Sequence, residues 1–184
     1  MIVKVKDIRS CQPQKGERFF FDTNIWLYLY CPIGNYNRKR ISRYADFLKS
    51  CLNSEATIYT SSLILSEFLN TYARLEFNIL ENKYPSTYKN YKIDFRNAKV
   101  GEKTILEIIS ILKNNVLKIA KKVDDHFKSI DINTLLDGIE YSDYNDRYYT
   151  ILGVLENMTI VTDDIDFGKI ALPINIVTAN NKLL

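Results

Sequence analysis

Three consecutive phenylalanines, Phe19 to Phe21, stop abruptly at Asp22. An apolar run without polar alternation is the pattern of a strand covered on both faces. Such strands belong to parallel sheets, whose neighbours must be joined by crossovers, usually helices. The rest of the chain supplies both parts. Further strand-like segments are ATIYT (Ala56–Thr60), MTIVTD (Met158–Asp163) and INIVTA (Ile174–Ala179). Between them, apolar residues recur at helical spacing over Asn37–Leu52, from a cap at Ser61 or Ser62 through Leu80, over Lys103–Lys122, and after a cap at Ser142. Pro85 breaks the long helix, Gly101 marks a turn, and a short element is expected over Asp131–Asp137. Strands alternating with helices predict an α/β fold, with a central, largely parallel sheet of about four to five strands flanked by helices. Residues 19–184 read as one domain, and the alternating opening MIVKVKDIRS as a short strand or ordered arm within residues 1–18.

At 184 residues the chain can build a core without staples. Cys11, Cys31 and Cys51 form no CxxC pair or Cys/His cluster, so neither zinc nor a disulfide framework is expected, and a reducing cytoplasm suits them. The most apolar stretch, Phe19–Ile33, contains Asp22 and Asn24 and falls short of the roughly 20 residues a membrane span requires. No membrane association is expected.

The acids carry the functional information through their positions. Asp22 closes the first of these strands, and Asp163 and Asp164 close the third. Ligands of parallel α/β sheets bind beyond the carboxyl ends of the strands, so these groups should meet at one edge. Asp also follows strands as an ordinary turn residue or helix cap. Glu67 stands among Leu63, Ile64, Phe68 and Leu69 on its helix, a costly place for an acid without a partner or a cation. Asp143 and Asp146 share a face at a helix start, where Asp143 suits a capping role. Acids converging without His or Cys describe an oxygen-ligand site for Mg2+ or Mn2+, suited to phosphoryl chemistry. The single histidine, His126, lies in the polar run VDDHFKS and reads as a surface residue.

FDTN (Phe21–Asn24), SEF (Ser66–Phe68), YNDRYY (Tyr144–Tyr149) and VTDDIDF (Val161–Phe167), in this order, resemble a PIN domain. That is the metal-dependent ribonuclease fold of VapC-type toxins and several RNA-processing nucleases. The resemblance covers roughly Phe19–Ala179. It implies a Mg2+-dependent endoribonuclease in which Asp22, Glu67, Asp146 and Asp164 hold the metal, with Mn2+ as an alternative ion. The last motif is similar to the family's T-x-D-x-D-F pattern, which favours Asp164 over Asp163 and makes Asp166 a supporting acid. Thr23, Asn24 and Thr162 would orient carboxylates or water, with Asp143 and Asp163 also in support. A type II toxin role implies RNA as substrate, a cognate antitoxin covering the acidic cleft, and a possible homodimer. Alternatives are a catalytically silent RNA- or protein-binding module and an RNA-processing or DNA nuclease of the same fold. FFFDTN also resembles haloacid-dehalogenase-like phosphatases, but these need an Asp where Asn24 stands.

Residues 82–122 form a helical insert relative to compact members of that family. Between Asn82 and Lys103 it carries Lys83, Lys89, Lys92, Arg96, Lys99 and Lys103 against Asp94 and Glu102, interleaved with Tyr84, Tyr88, Tyr91 and Phe95. Cations that neutralise phosphate and rings that stack on bases are the means of single-strand binding, so an RNA path is expected there.

Overall fold

The computed structural model describes residues 3–184, so Met1 and Ile2 of the expected arm lie outside the described residues. Six parallel strands form one sheet in the order β1-β6-β5-β2-β3-β4. They are β1 (Lys4–Asp7), β2 (Arg18–Phe21), β3 (Thr57–Thr60), β4 (Ala120–Lys122), β5 (Thr159–Val161) and β6 (Asn175–Thr178). The helices are α1 (Thr23–Tyr30), α2 (Arg38–Asn53), α3 (Ser62–Lys83), α4 (Lys99–Ile111), α5 (Leu117–Ile119), α6 (Ile132–Leu136) and α7 (Tyr144–Leu155).

β2 lies between β5 and β3, with Phe20 opposite Ile160 on one side and Tyr59 on the other. Phe19, Phe20 and Phe21 are almost completely buried, as the unbroken apolar run requires. Each buried phenylalanine contributes about 1.5–3 kcal/mol of apolar burial. Phe47 packs edge-on against Phe19, while Tyr149 tilts against Phe20, so helices α2 and α7 are both anchored on this strand.

Local signals set the helix ends. The Asp22 side chain accepts from the Thr23 N–H as the N-cap of α1, and Pro32 follows close after the helix. Asn37 caps α2, and Ser61, the first of the two expected candidates, caps α3. The cap of α7 is Asp143 rather than Ser142, because the Asp143 carboxylate is the acceptor that reaches the Asn145 N–H.

Two features depart from the expected pattern. The helix expected over Lys103–Lys122 starts earlier, at Lys99, and passes through a π-helical turn at Leu112–Val116 into α5. The chain is extended from Ala120, where it pairs with Ile58 of β3 as edge strand β4. With β1 added at the opposite edge, the sheet has six strands rather than four to five. Exposed Lys121 and Lys122 on β4 discourage further strand addition at that edge. Phe95, fully buried, ties the insert to the body by packing 5.9 Å from Phe77 of α3, and within the insert it meets α4. A Cβ on Gly101 would stand 2.1 Å from the Phe95 carbonyl oxygen, so only glycine allows this approach.

Candidate active site

The carboxyl ends of β2 and β5 face a cleft of about 420 Å³ whose lining includes Asp22, Glu67, Asp143, Asp146, Asp164 and Asp166. Residues from two strand ends, the three helices α1, α3 and α7, and the short 3-10 turn Ile165–Lys169 are thus brought together. The expected acids Asp22, Glu67, Asp146 and Asp164 all border this space, as do Thr23 and Asn24.

Asp22 is buried at the junction of β2 and α1. One carboxylate oxygen accepts from the Thr23 N–H at 2.6 Å. The other accepts from the Asn24 amide at 2.6 Å and the Thr162 hydroxyl at 2.7 Å. Burial pushes the Asp22 carboxyl up to about 7, against the lowering pull of Thr162 and the Thr23 N–H, and Glu67 and Asp164 add to the rise. The Thr162 hydroxyl also accepts from the Asp164 N–H at 3.0 Å, so one side chain spaces the two acids.

Glu67 is held by neutral donors. Thr23 donates to it at 2.7 Å, and the Tyr149 hydroxyl and Asn145 amide also donate. The acid on an apolar helix face thus has the partners it needs, as hydrogen-bond donors. Asn145 and Tyr149, four residues apart on α7, are site residues that sequence reasoning missed. Burial and the Glu67 carboxylate raise the Tyr149 hydroxyl far above its ordinary value, which keeps it a donor.

Asp146 is half-buried, and burial pushes it up to about 8, with Asp22, Asp164, Asp143 and Glu67 adding repulsion. One carboxylate oxygen from each of Asp146, Asp164 and Asp166 lies within 4.8 Å of the others. Asp166, expected only in support, thus joins Asp146 and the expected ligand Asp164 within that limit, although Lys169 also pairs with it at 2.6 Å.

Asp163 points elsewhere. Its carboxylate accepts from Tyr28 at 2.9 Å, Tyr44 at 3.0 Å and Arg40 at 2.5 Å. Its carbonyl takes the Asn180 amide at 2.6 Å. Asp163 is a buried anchor for the turn after β5, and the neighbouring Asp164 borders the acidic cleft. Asp143 borders the cleft while capping α7.

The donor set fits a hard divalent cation. The lining of the cleft offers carboxylate, amide and hydroxyl oxygens, and no His or Cys is among the described residues that form it. The raised carboxyls of Asp22 and Asp146 are the expected response of acids that are buried and, to a lesser degree, crowded by other acids.

The basic insert contributes no residue to the lining of this cleft. Lys83, Lys89, Lys92, Arg96 and Lys99 are exposed, and none lines it. Two of the expected stacking rings are committed to packing: Tyr91 lies 5.4 Å from Phe77 and 5.5 Å from Phe95, with Arg74 over its face at 3.6 Å. Tyr84 is exposed, whereas Tyr88, like Tyr91, is partly buried against the core. His126, half-exposed, pairs with Glu156 at 2.6 Å and lies outside the acid cleft. Among the described residues, no helix is long and apolar enough to cross a membrane.

No curated protein matches the sequence. The chain is similar in fold to a chain of VapBC2 from Rickettsia felis, solved bound to a DNA fragment from their promoter. The identity is 19%, the TM-score 0.53, and the alignment covers 87% of this chain and 98% of the other. The PIN domain family model matches residues 19–172, a span that begins on β2 and includes all six acids of the cleft. The chain therefore belongs to the PIN-domain family.

Proposed function

We propose that this protein is a metal-dependent endoribonuclease and the toxin of a type II toxin–antitoxin pair. The observation that carries the reading is the convergence of Asp22, Glu67, Asp146 and Asp164 on one cleft of a PIN fold, with Asp166 beside them. Asp22, Glu67, Asp146 and Asp164 would hold Mg2+ or Mn2+, with Asp166 completing the oxygen set. When bound, such an ion polarises a phosphodiester and lowers the pKa of water.

The chain's own groups prepare the site. Thr162, Asn24 and the Thr23 N–H fix Asp22, while Thr23, Asn145 and Tyr149 fix Glu67. These carboxylates are oriented before substrate arrives, which limits reorganisation during the reaction. Asp146 accepts no hydrogen bond from another side chain among the described residues, leaving its oxygens free for a ligand. The fold likeness to VapBC2 supports the toxin reading and a cognate antitoxin as partner. A second copy of the chain and a cytoplasmic setting accompany the same reading, and buried, unpaired Cys31 and Cys51 agree with a reducing compartment.

The test is cleavage of a labelled single-stranded RNA by wild type, Asp22→Asn and Asp146→Asn, in Mg2+, Mn2+ and EDTA. Cutting by wild type alone, abolished by EDTA, is expected. RNA retained on a gel without cutting by any of them would instead support a binding module.

A further inference from the structure

A second hollow, of about 340 Å³, adjoins the acidic cleft. The two share Asn24 and Asp164 in their linings, so they are parts of one continuous surface. Unlike the cleft, whose lining has acids and no cation, the second one sets Arg40 of α2 and Lys182 of the C-terminal segment against Asp163 and Asp164.

Arg40 belongs to an unusual helix start. Arg38, Lys39 and Arg40 occupy the first three positions of α2, and the first turn has no acid. The exposed N–H groups of a helix start already carry partial positive charge, so cations there are unfavourable. One edge of the Arg40 guanidinium is tied to Asp163, whose side chain is 3% exposed, while that of Arg40 is 43% exposed. A guanidinium has five donors in a planar fork, so Arg40 retains donors for another group.

An acid-lined cleft repels the phosphates of an approaching strand as well as its own carboxylates. Cations at its border offset that repulsion for the neighbouring phosphate. We propose that the hollow bounded by Arg40 and Lys182 is the subsite for a phosphate adjacent to the scissile one in single-stranded RNA. The assignment deepens the nuclease reading and rests on it. It places RNA contact beside the acids, whereas the insert lysines Lys83 to Lys99 lie away from the cleft lining.

The experiment measures binding of a fluorescent single-stranded RNA decamer in EDTA across a salt series, alongside wild-type cleavage in Mg2+ and Mn2+. The variants are Lys182→Ala, Lys182→Glu and Arg40→Lys, the last retaining a cation for buried Asp163. Lys15→Ala is the control, since Lys15 pairs with Glu55 before β2 and β3, at the opposite end of the sheet. Lys182→Ala should weaken binding about fivefold and lower the salt slope by about 0.7. Lys182→Glu should weaken it further, Arg40→Lys should weaken it while preserving the melting temperature, and Lys15→Ala should match wild type. Unchanged affinity and slope in both Lys182 variants, or no RNA binding by wild type, overturns the subsite. Cutting with unchanged binding overturns the subsite alone. Weakened binding in the variants without cutting by wild type overturns the nuclease reading and leaves a phosphate site. If Lys182→Glu spares RNA but loses a poly-glutamate peptide, the hollow docks an acidic protein segment and the proposal falls.

Discussion

The Thr162 hydroxyl donates to the Asp22 carboxylate at 2.7 Å across 140 residues of chain, joining the carboxyl ends of β5 and β2. The same oxygen accepts from the Asp164 N–H. Thr162→Val preserves shape but removes both interactions. Stability should fall by about 1–3 kcal/mol, the cost of unmade buried hydrogen bonds. Metal affinity and cleavage should fall on the order of 10- to 100-fold, as when a partner that orients a ligand is lost. Urea unfolding and a Mg2+ titration check the two effects separately.

Neutralising different acids should have opposite effects on the fold. Asp146 takes no side-chain donor and is pushed up by burial and four neighbouring acids, so Asp146→Asn should raise the melting temperature in EDTA while abolishing cleavage. Glu67 receives three side-chain donors. Its replacement by Gln sets an amide N–H against a donor, so Glu67→Gln should cost about 1–3 kcal/mol. Asp22 is likewise hydrogen-bonded, which makes Asp22→Asn less benign than relief of charge repulsion alone implies. Thermal melts of the three variants in EDTA rank them directly.

Stability without metal should decline as pH rises from about 4 to about 8. Asp22 and Asp146 sit at about 7 and about 8 in the folded protein, against an ordinary value of 3.8. Over that window the folded state keeps protons that the unfolded chain has released, so unfolding releases protons and higher pH favours it. Below about pH 4 both states are protonated, and above about pH 8 both are ionised. The two carboxyls interact and titrate as a set. Melting temperatures measured in EDTA from pH 5 to 8.5 should fall, with a shallower slope for Asp146→Asn and a flatter profile in saturating Mg2+.

Gly101→Ala should destabilise the protein by about 1–3 kcal/mol, because the new methyl meets the Phe95 carbonyl oxygen and neither backbone can shift freely. The strain lies in the insert, away from the acidic cleft, so cleavage per folded molecule should be retained. Denaturant unfolding and activity at low temperature separate the two.

Sequence revealed the elements whose pattern is long or chemically marked. RFFFD and MTIVTD disclosed two neighbouring strands because uninterrupted apolar residues leave few alternatives. β4 stayed hidden, since Ala120 continues the helical spacing from Val116 and the remaining strand residues are exposed lysines. Asp22, Asp143, Asp146 and Asp164 were legible as strand-end or helix-start residues and Glu67 as an acid on an apolar helix face, while Asp166 was expected only through the family resemblance. Their supports were less so, because Asn145 and Tyr149 serve a carboxylate on a different helix. Whether Asp163 or Asp164 turned inward was decided by Arg40, Tyr28 and Tyr44, which only the folded chain brings to Asp163.

The strand order also governs when the cleft can exist during synthesis. β2 needs β5 beside it, and β1 has only β6 as its neighbour. A growing chain that has emerged through α3 already carries Asp22 and Glu67, yet it lacks Thr162 and the three acids from Asp146 to Asp166 that complete the constellation. Pairings this distant in sequence form late. A chain that stops after α3 therefore has two of the six cleft acids and no cleft to place them in, so whatever chemistry the cleft performs must wait until the chain is nearly complete.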